Sequence, residues 1–513
     1  MNYNLINANI ITMDPSNPIA NSVTIENDKI KSINKTNSKY QNFDLHNATV
    51  IPGFIDSHFH LSNLGKRLDM LQLKNCSSPN EIAEMVYKKS CLSNDNEWIL
   101  GFGWDQTKWD NNNYPNKTLL NNLKINNPVM LTRIDGHSCW VNEKAIQMSS
   151  LDISSEIFGG EIKNDCVLID NAMNPIQKII PQSDKRMIEK WIKMAIDIII
   201  DRGITNIHDA WQNAQNVDVI ESLINKNNFP IRCYGMLASN DLDLLERFFS
   251  TGIYTNKNYT IRSVKAFIDG ALGSRGAALF EPYSDDHNNC GLILISKEEF
   301  KELSQKCKTA GFQLCTHAIG DKGNSMVLDI YSETIKNIPN HRWRIEHAQM
   351  VNDDDIPKFF KNGIVPSMQP SHCTSDMRWM NDRIGNHRIH KISRWKSFID
   401  SGCKIPGGSD CPIEEGNPLF EYYAAVTRQD HKGYPEHGWQ SQECISRMDA
   451  LKMLTTWGAY GEFAENHRGK IKIGYDADFT VLSNDLLKCD DRNILNIEIL
   501  MTIVAGKILK NIL

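Results

Sequence analysis

At 513 residues with a formal net charge of -6, the chain is too long for one ordinary core and predicts a large domain with additions. Mild acidity without a basic stripe excludes a nucleic-acid footprint, and no run approaches the ~18 uninterrupted apolar residues of a membrane span. The 13 cysteines, odd in number and without CxxC spacing, argue against a disulfide framework or zinc ribbon and for reduced thiols in a cytoplasm. The opening "MNYNLINANIITMDP" lacks both the basic region and the long apolar core of a signal peptide and reads as a strand. Residues 1–50 alternate short β-like runs with turns such as "DPSNP" and "ENDK". This texture predicts a small antiparallel unit.

From residue 51 strand-like and helical runs alternate, as in a parallel α/β array. "TVIPGFIDSHFH" reads as the first strand. Residues 66–180 are too long for one βα connection and are rich in Asn and Trp ("GFGWDQTKWDNNNYPN"). They predict an inserted lid subdomain over the mouth of the array. "SDKRMIEKWIKMAIDIIIDRG" predicts a helix with Ser183 or Asp184 as N-cap and Gly203 at its end. The strands "ITNIHDA", "IRCYGML", "IRSVKAFIDG", "FQLCTHA", "WRIEHAQ", "GIVPSMQ" and "CKIPGGSD" follow. Eight strands suit a closed (β/α)8 TIM barrel over residues 51–464, with its chemistry at the C-terminal strand ends. An open doubly wound sheet is the alternative, weakened by the lack of a GxGxxG turn. After residue 465 the β texture returns in "GKIKIGYDADFTVLS" and "IEILMTIVAGKIL". The chain ends, 1–50 and 465–513, are expected to pair into one small β domain.

Alternate residues of a strand face one side, so His58 and His60 point together at the end of an apolar run. A lone HxH is a weak signal. It gains weight because His317 ends "GFQLCTHA", His347 ends "RWRIEHA" and Asp410 ends "CKIPGGSD", where Gly407 and Gly408 allow close backbone approach. Four imidazoles and a carboxylate at strand ends suit a borderline divalent cation such as zinc. Lys265 lies inside the apolar strand "SVKAFIDG". Desolvation there favours the neutral amine, which can add carbon dioxide to give an anionic carbamate able to bridge two metals. A snorkelling or salt-bridged lysine is the plainer alternative.

The order HxH, Lys, His, His, Asp resembles the metal-dependent amidohydrolase superfamily. The phrases "GFIDSHFH", "RIDGHSCWVN", "GITNIHDA", "KAFIDGALGSRGAAL", "THAIGDKGN", "RIEHAQ" and "GSDCPIEEGNPL" resemble its branch of N-substituted formamide deformylases. "GKIKIGYDADFTVLS" and "TIVAGKIL" resemble that branch's C-terminal β segment. The resemblance implies a distorted (β/α)8 barrel with a composite β-sandwich from both chain ends. It also implies a centre of one or two divalent metals at His58, His60, Lys265 as its carbamate, His317, His347 and Asp410.

On this reading metal lowers the pKa of bound water towards ~7 and supplies hydroxide. Asp410 orients it and carries its proton to the leaving nitrogen. His137 and Arg133 in "TRIDGHS", Arg275 in "GALGSRG" and Trp104 in "GFGWDQ" are candidate contacts to the substrate, although for Trp104 a packed aromatic corner is the plainer reading. The leading expectation is a hydrolase of non-peptide carbon–nitrogen bonds acting on a small molecule. A deaminase or isomerase on the same site, or a non-catalytic metal sensor, are the alternatives. The partners expected are a small-molecule substrate only, with no nucleic acid and no membrane. A homodimer is compatible with the sequence.

Overall fold

The computed structural model describes residues 2–134, 136–155, 157 and 159–513. The chain divides into two compact units. One runs to Leu61 and resumes as Ile196–Leu513; the other is Ser62–Ala195.

In the larger unit seven strands hydrogen-bond side by side in parallel: Phe54–Phe59, Ile204–Gln212, Arg232–Ala238, Tyr259–Phe267, Gln313–Ala318, Arg344–His347 and Val365–Ser367. They are called the first to seventh barrel strands below. Most of their residues are buried, as expected of strands covered on both faces. The eighth side departs from the sequence expectation of a regular strand. Residues 404–411 make only isolated parallel bridges, Gly407 to Met368 and Cys411 to Phe59. Ser57 N donates to Gly407 O at 2.9 Å and Gly408 N to Met368 O at 3.1 Å, so the segment still closes the barrel. Pro406 has no N–H to add to a ladder. At Gly408 a Cβ would stand 2.4 Å from His58 N, so this stretch approaches the first strand more closely than a side chain permits.

The expected strand "TVIPGFIDSHFH" is two strands. Thr49–Pro52 belongs to another sheet and Phe54–Phe59 to the barrel. The chain changes sheet at Gly53, whose Cβ would lie 2.2 Å from Thr205 Oγ1. That other sheet runs Lys507–Asn511, Ile499–Val504, Phe479–Leu482, Thr49–Pro52, Asn9–Ile11, Ile19–Ala20, so it is built from both ends of the chain. A second sheet, Lys29–Ile33, Val23–Glu26, Asn2–Ile6, Gln41–Asp44, shares its apolar core, in which Leu5, Ile25, Val50, Phe479 and Ile503 are fully buried. A buried ion pair fastens this sandwich to the barrel: Arg232 Nε donates to Asp478 Oδ2 at 2.6 Å and its NH2 to Oδ1 at 3.1 Å.

The smaller unit holds its own six-stranded sheet, in the order Gly160–Lys163, Val167–Asp170, Ser138–Val141, Val129–Arg133, Ile99–Trp104, Leu71–Gln72. Its core gathers Trp104, Trp140, Leu131 and Val167. The helix predicted after residue 183 is Lys185–Asp201, with Asp184 accepting from Met187 N at 2.8 Å. All thirteen cysteines are free thiols. Among the described residues no helix is long and apolar enough to cross a membrane.

Deleting residues 474–513 would remove Phe479–Leu482 from Thr49–Pro52 and Asp478 from Arg232. The exposed sheet edge and the unpaired guanidinium are expected to give insoluble protein, read as the soluble fraction on expression. A soluble truncated chain with the full-length circular dichroism spectrum would overturn this.

Candidate metal centre

The first barrel strand delivers His58 at its end and His60 just beyond it, their ring centroids 5.5 Å apart. His58 is buried, and its two nitrogens are divided between two tasks. Nδ1 lies 2.6 Å from Glu346 Oε2. Nε2 faces the barrel mouth, 3.3 Å from Lys265 Nζ and 3.5 Å from Asp410 Oδ1. A carboxylate on Nδ1 fixes the tautomer that leaves Nε2 as a lone-pair donor. His60 Nε2 is 2.9 Å from Asp410 Oδ1.

His347 ends the sixth strand. Strict alternation would turn it away from Glu346 and Arg344, but its φ of 71° and that of 42° at Ala348 break the alternation. The ring comes to 4.8 Å from that of His58 and 4.6 Å from that of His317. Its buried Nδ1 has no hydrogen-bond partner. His317, on the fifth strand, has Nε2 3.4 Å from Gly270 O. Asp410 also has a left-handed φ, 57°, and its N donates to His58 O at 2.7 Å. Lys265, on the fourth strand, is fully buried. All six side chains expected from the sequence therefore lie in one cluster at the C-terminal ends of the strands.

Burial sets the charge states. It presses the His58 imidazole down to about 4, helped by the Lys265 ammonium and opposed by Glu346. It takes His317 to about 3 and His347 well below the usual range. These rings are neutral, with lone pairs to offer. Burial also lowers the Lys265 ammonium to about 8. At Asp410 burial acts against the carboxylate, but the facing imidazoles, His58 and His60 foremost, outweigh it and hold the group ionised. His58, His347 and Asp410 each present one ligand atom, all within 4.8 Å of one another. Neutral imidazoles, an ionised carboxylate and an orphaned buried nitrogen are a donor set that fits a borderline divalent cation.

Several residues of the centre were not anticipated. Arg344 and Glu346, both fully buried, pair at 2.7 Å inside the barrel. Arg344 also donates to Ser57 O at 2.6 Å and Ser367 Oγ at 2.8 Å, and its NH1 lies 2.9 Å from His208 Nδ1. Asp56 joins the first strand to the closing segment, accepting from Ser409 Oγ at 2.6 Å and from His58 N at 3.1 Å. His372, on the helix Pro370–Ile384 after the seventh strand, brings Nε2 to 3.8 Å from Asp410 Oδ2. Its sequence signal is a histidine beside a helix-starting proline in "MQPSHC".

The four candidate substrate contacts have these partners. Trp104, Arg133 and His137 belong to the smaller unit. Trp104 is fully buried in that unit's core, with Nε1 donating to Leu131 O at 2.6 Å, the place of a packing residue. Arg133 Nε donates to Gln106 Oε1 at 2.8 Å, and the exposed His137 has Nδ1 2.9 Å from Asp170 Oδ1. Arg275, in the larger unit, is held by Asp285 through two bonds of 3.0 Å.

Glu346→Gln is expected to leave Arg344 charged, buried and unpaired, costing about 3–5 kcal/mol, and to loosen the His58 ring. Denaturant unfolding of the metal-free protein checks the first effect, and metal affinity by chelator competition the second. Stability within 1 kcal/mol of wild type, roughly the size of an exposed pair, would show that the pair is not the clamp its burial indicates.

The sequence matches the model of the amidohydrolase family over residues 41–510. It is 30% identical over 520 residues to a Bacillus subtilis (strain 168) protein named amidohydrolase YtcJ, covering 97% of each chain. It is 23% identical to the N-substituted formamide deformylase of Arthrobacter pascens, over 98% of this chain and 97% of that one. Among solved structures, an uncharacterized metal-dependent hydrolase from Pyrococcus furiosus superposes with a TM-score of 0.81 at 27% identity. That match covers 95% of this chain and 100% of that one.

Proposed function

The chain belongs to the amidohydrolase family, and from that premise we propose that it is a metal-dependent hydrolase of non-peptide carbon–nitrogen bonds, its substrates small linear or cyclic amides. One observation carries the reading. Neutral, buried imidazoles and an ionised carboxylate meet at the barrel's strand ends, with His58, His347 and Asp410 offering ligand atoms within 4.8 Å. His58, His60, His317, His347 and Asp410, with Lys265 as its carbamate, would hold one or two divalent ions, zinc by the borderline character of the donors. When bound, such an ion supplies a Lewis acid for the scissile carbonyl and a water acidic enough to ionise near neutrality.

The chain's own residues do the rest. Glu346 keeps the His58 proton on Nδ1, so Nε2 stays a donor. Asp410 is the proton carrier. Its Oδ1 faces His60 and its Oδ2 faces His372, and a carboxylate held ionised can take a proton from water and return it to the leaving nitrogen. Lys265 has no carboxylate within 4 Å among the described residues. Its amine, lowered to about 8, is neutral in a useful fraction at neutral pH. The neutral Nζ adds to carbon dioxide and loses one proton to give a two-oxygen anion, so that from the buried ammonium two protons leave in all.

The purified protein is expected to hold one to two equivalents of divalent metal per chain, read by elemental analysis. Hydrolysis of N-formyl or N-acyl amines, followed by product mass, should stop with chelator and return with metal. No metal uptake on reconstitution would sink the reading. Ammonia released without a carboxylate product would point to deamination.

Lys265→Ala is expected to lose metal and activity together, with partial recovery in short carboxylic acids that fill the vacated space. Lys265→Arg should not recover either, since guanidinium stays charged and adds no carbon dioxide. Protein exchanged in labelled bicarbonate should show a carbamate carbon resonance that Lys265→Ala lacks. Because the free amine titrates at about 8, its neutral fraction rises as pH rises through that value. Metal uptake at constant dissolved carbon dioxide should therefore be faster at pH ~8.5 than at ~6.5. Full metal loading of Lys265→Ala would replace this model with ions held by the imidazoles and Asp410 alone.

A further inference from the structure

One side of the barrel mouth carries two aromatic rings that the metal centre does not use. Their placement starts in the backbone of the second strand. Trp211 has a φ of 147°. Ala210 pairs with Met236 and Gln212 with Leu237, the next residue along, so Trp211 is the extra residue of a bulge. Asp209 Oδ2 accepts from Gln212 Nε2 at 2.7 Å and closes the turn of the chain behind it. A bulky side chain at positive φ costs free energy and is an outlier that asks for a reason. Bulges beside active sites commonly re-aim a side chain.

The indole is aimed at Phe267, which ends the fourth strand. The two rings meet edge to face with centroids 5.0 Å apart. The third strand lies between the second and the fourth, so the rings meet as residues of one interior layer, contributed by alternate strands. Phe267 is two residues on from Lys265 and shares its face of the strand. Its ring centroid is 5.1 Å from Lys265 Nζ and 5.1 Å from the ring of His317. A layer that served packing alone would be buried. Every other residue of the second strand is buried while Trp211 is partly exposed, and Phe267 is partly exposed after the buried run 263–266.

The rings lie on a particular side of the centre. Asp410 Oδ1 is 3.5 Å from His58 Nε2, and His58 Nε2 is 3.3 Å from Lys265 Nζ. The order across the mouth is therefore Asp410, His58, Lys265, Phe267, Trp211. Asp410 belongs to the closing segment, which stands opposite the fourth strand in the ring. A carboxylate that returns its proton to the leaving nitrogen keeps the amine on its own side. The acyl substituent then extends the other way, towards the rings. A flat ring placed there gains from aromatic contact beyond its apolar area, whereas a saturated group gains from area alone.

We propose that Trp211 and Phe267 form the wall that receives the acyl group and determine specificity, so that the preferred substrates are amides of acids that carry an aromatic ring. The inference rests on the hydrolase reading above.

Two measurements on the metal-loaded protein test it. In the first, 2-phenylacetohydroxamate and 2-cyclohexylacetohydroxamate are titrated calorimetrically. They share a metal-seeking head and differ in the flatness of the acyl group. The phenyl compound is expected to bind about fivefold more tightly. Phe267→Leu and Trp211→Leu keep apolar surface and remove a flat face, so each should bring the ratio towards one. Phe267 lies in regular strand backbone, so its variant carries the test if Trp211→Leu does not fold. Equal binding of the two compounds, binding of neither, or a ratio that Phe267→Leu leaves unchanged overturns the wall. In the second, N-methyl-2-phenylacetamide is compared with N-benzylacetamide, its isomer with the ring on the amine side. kcat/KM should favour the first about tenfold, and Phe267→Leu should reduce that preference. Equal values, or a preference for N-benzylacetamide, overturn the acyl assignment and leave the hydrolase standing. Ring-selective hydroxamate binding with neither amide hydrolysed supports the wall and counts against the hydrolase reading. Protein that takes up no metal overturns both.

Discussion

The centre depends on one buried carboxylate. Glu346 sits inside the barrel with no exposure, takes the Arg344 guanidinium at 2.7 Å and holds His58 Nδ1 at 2.6 Å. Removing two charges from water is expensive, and a hydrophobic pair of similar volume would often be as stable or more so. What the pair supplies is position. Arg344 reaches Ser57 O on the first strand and Ser367 Oγ on the seventh, so one guanidinium spans the seam where the barrel must close. With Glu346 fixed by that span, the His58 ring has one orientation and one tautomer.

The closing segment shows the same constraint in its backbone. A regular eighth strand would give a better ladder, but Asp410 would then project by simple alternation. Pro406, Gly408 and the left-handed Asp410 instead let the segment ride against His58 and bring its carboxylate over the imidazoles. Left-handed conformations at His347, Ala348 and Asp410 cost about 1–3 kcal/mol each. At Asp410 neighbours over-determine the conformation: Asp56 ties Ser409 to the first strand, and Asp410 N donates to His58 O at 2.7 Å. The strain sits where alternation must be broken to turn side chains from several strands toward one point.

This explains what the sequence reveals and what it hides. Strand identity is legible, because buried parallel strands are continuous apolar runs, and histidines at their ends stand out against that background. Arg344 and Glu346 do not stand out. In "RWRIEHA" two charged residues at alternate positions look like the solvent face of a strand, and only barrel closure turns that face inward. The break at Gly53 is hidden for a related reason: both halves of "TVIPGFID" are apolar and buried, one in each of two sheets. His372 is obscured because a helix start, unlike a strand end, carries no expectation of convergence. Trp104 admits both readings, and the packed one is the plainer. An aromatic in a polar, Asn-rich insert looks like a ligand contact, yet that insert has a core of its own to fill.

The electrostatic pattern around Asp410 follows from the same architecture. Burial strips charge from the histidines, while at Asp410 the facing histidines outweigh burial and keep the carboxylate ionised, so the mouth gathers negative charge and lone pairs in a low-dielectric setting. Lys265 offsets it from inside, and its own charge is weakened by burial. On the hydrolase reading, positive charge is drawn to the place where the imidazoles converge. That demand traces to one choice in the fold, which is to build the mouth from a buried acid and neutral rings and to let a bound group supply the positive charge.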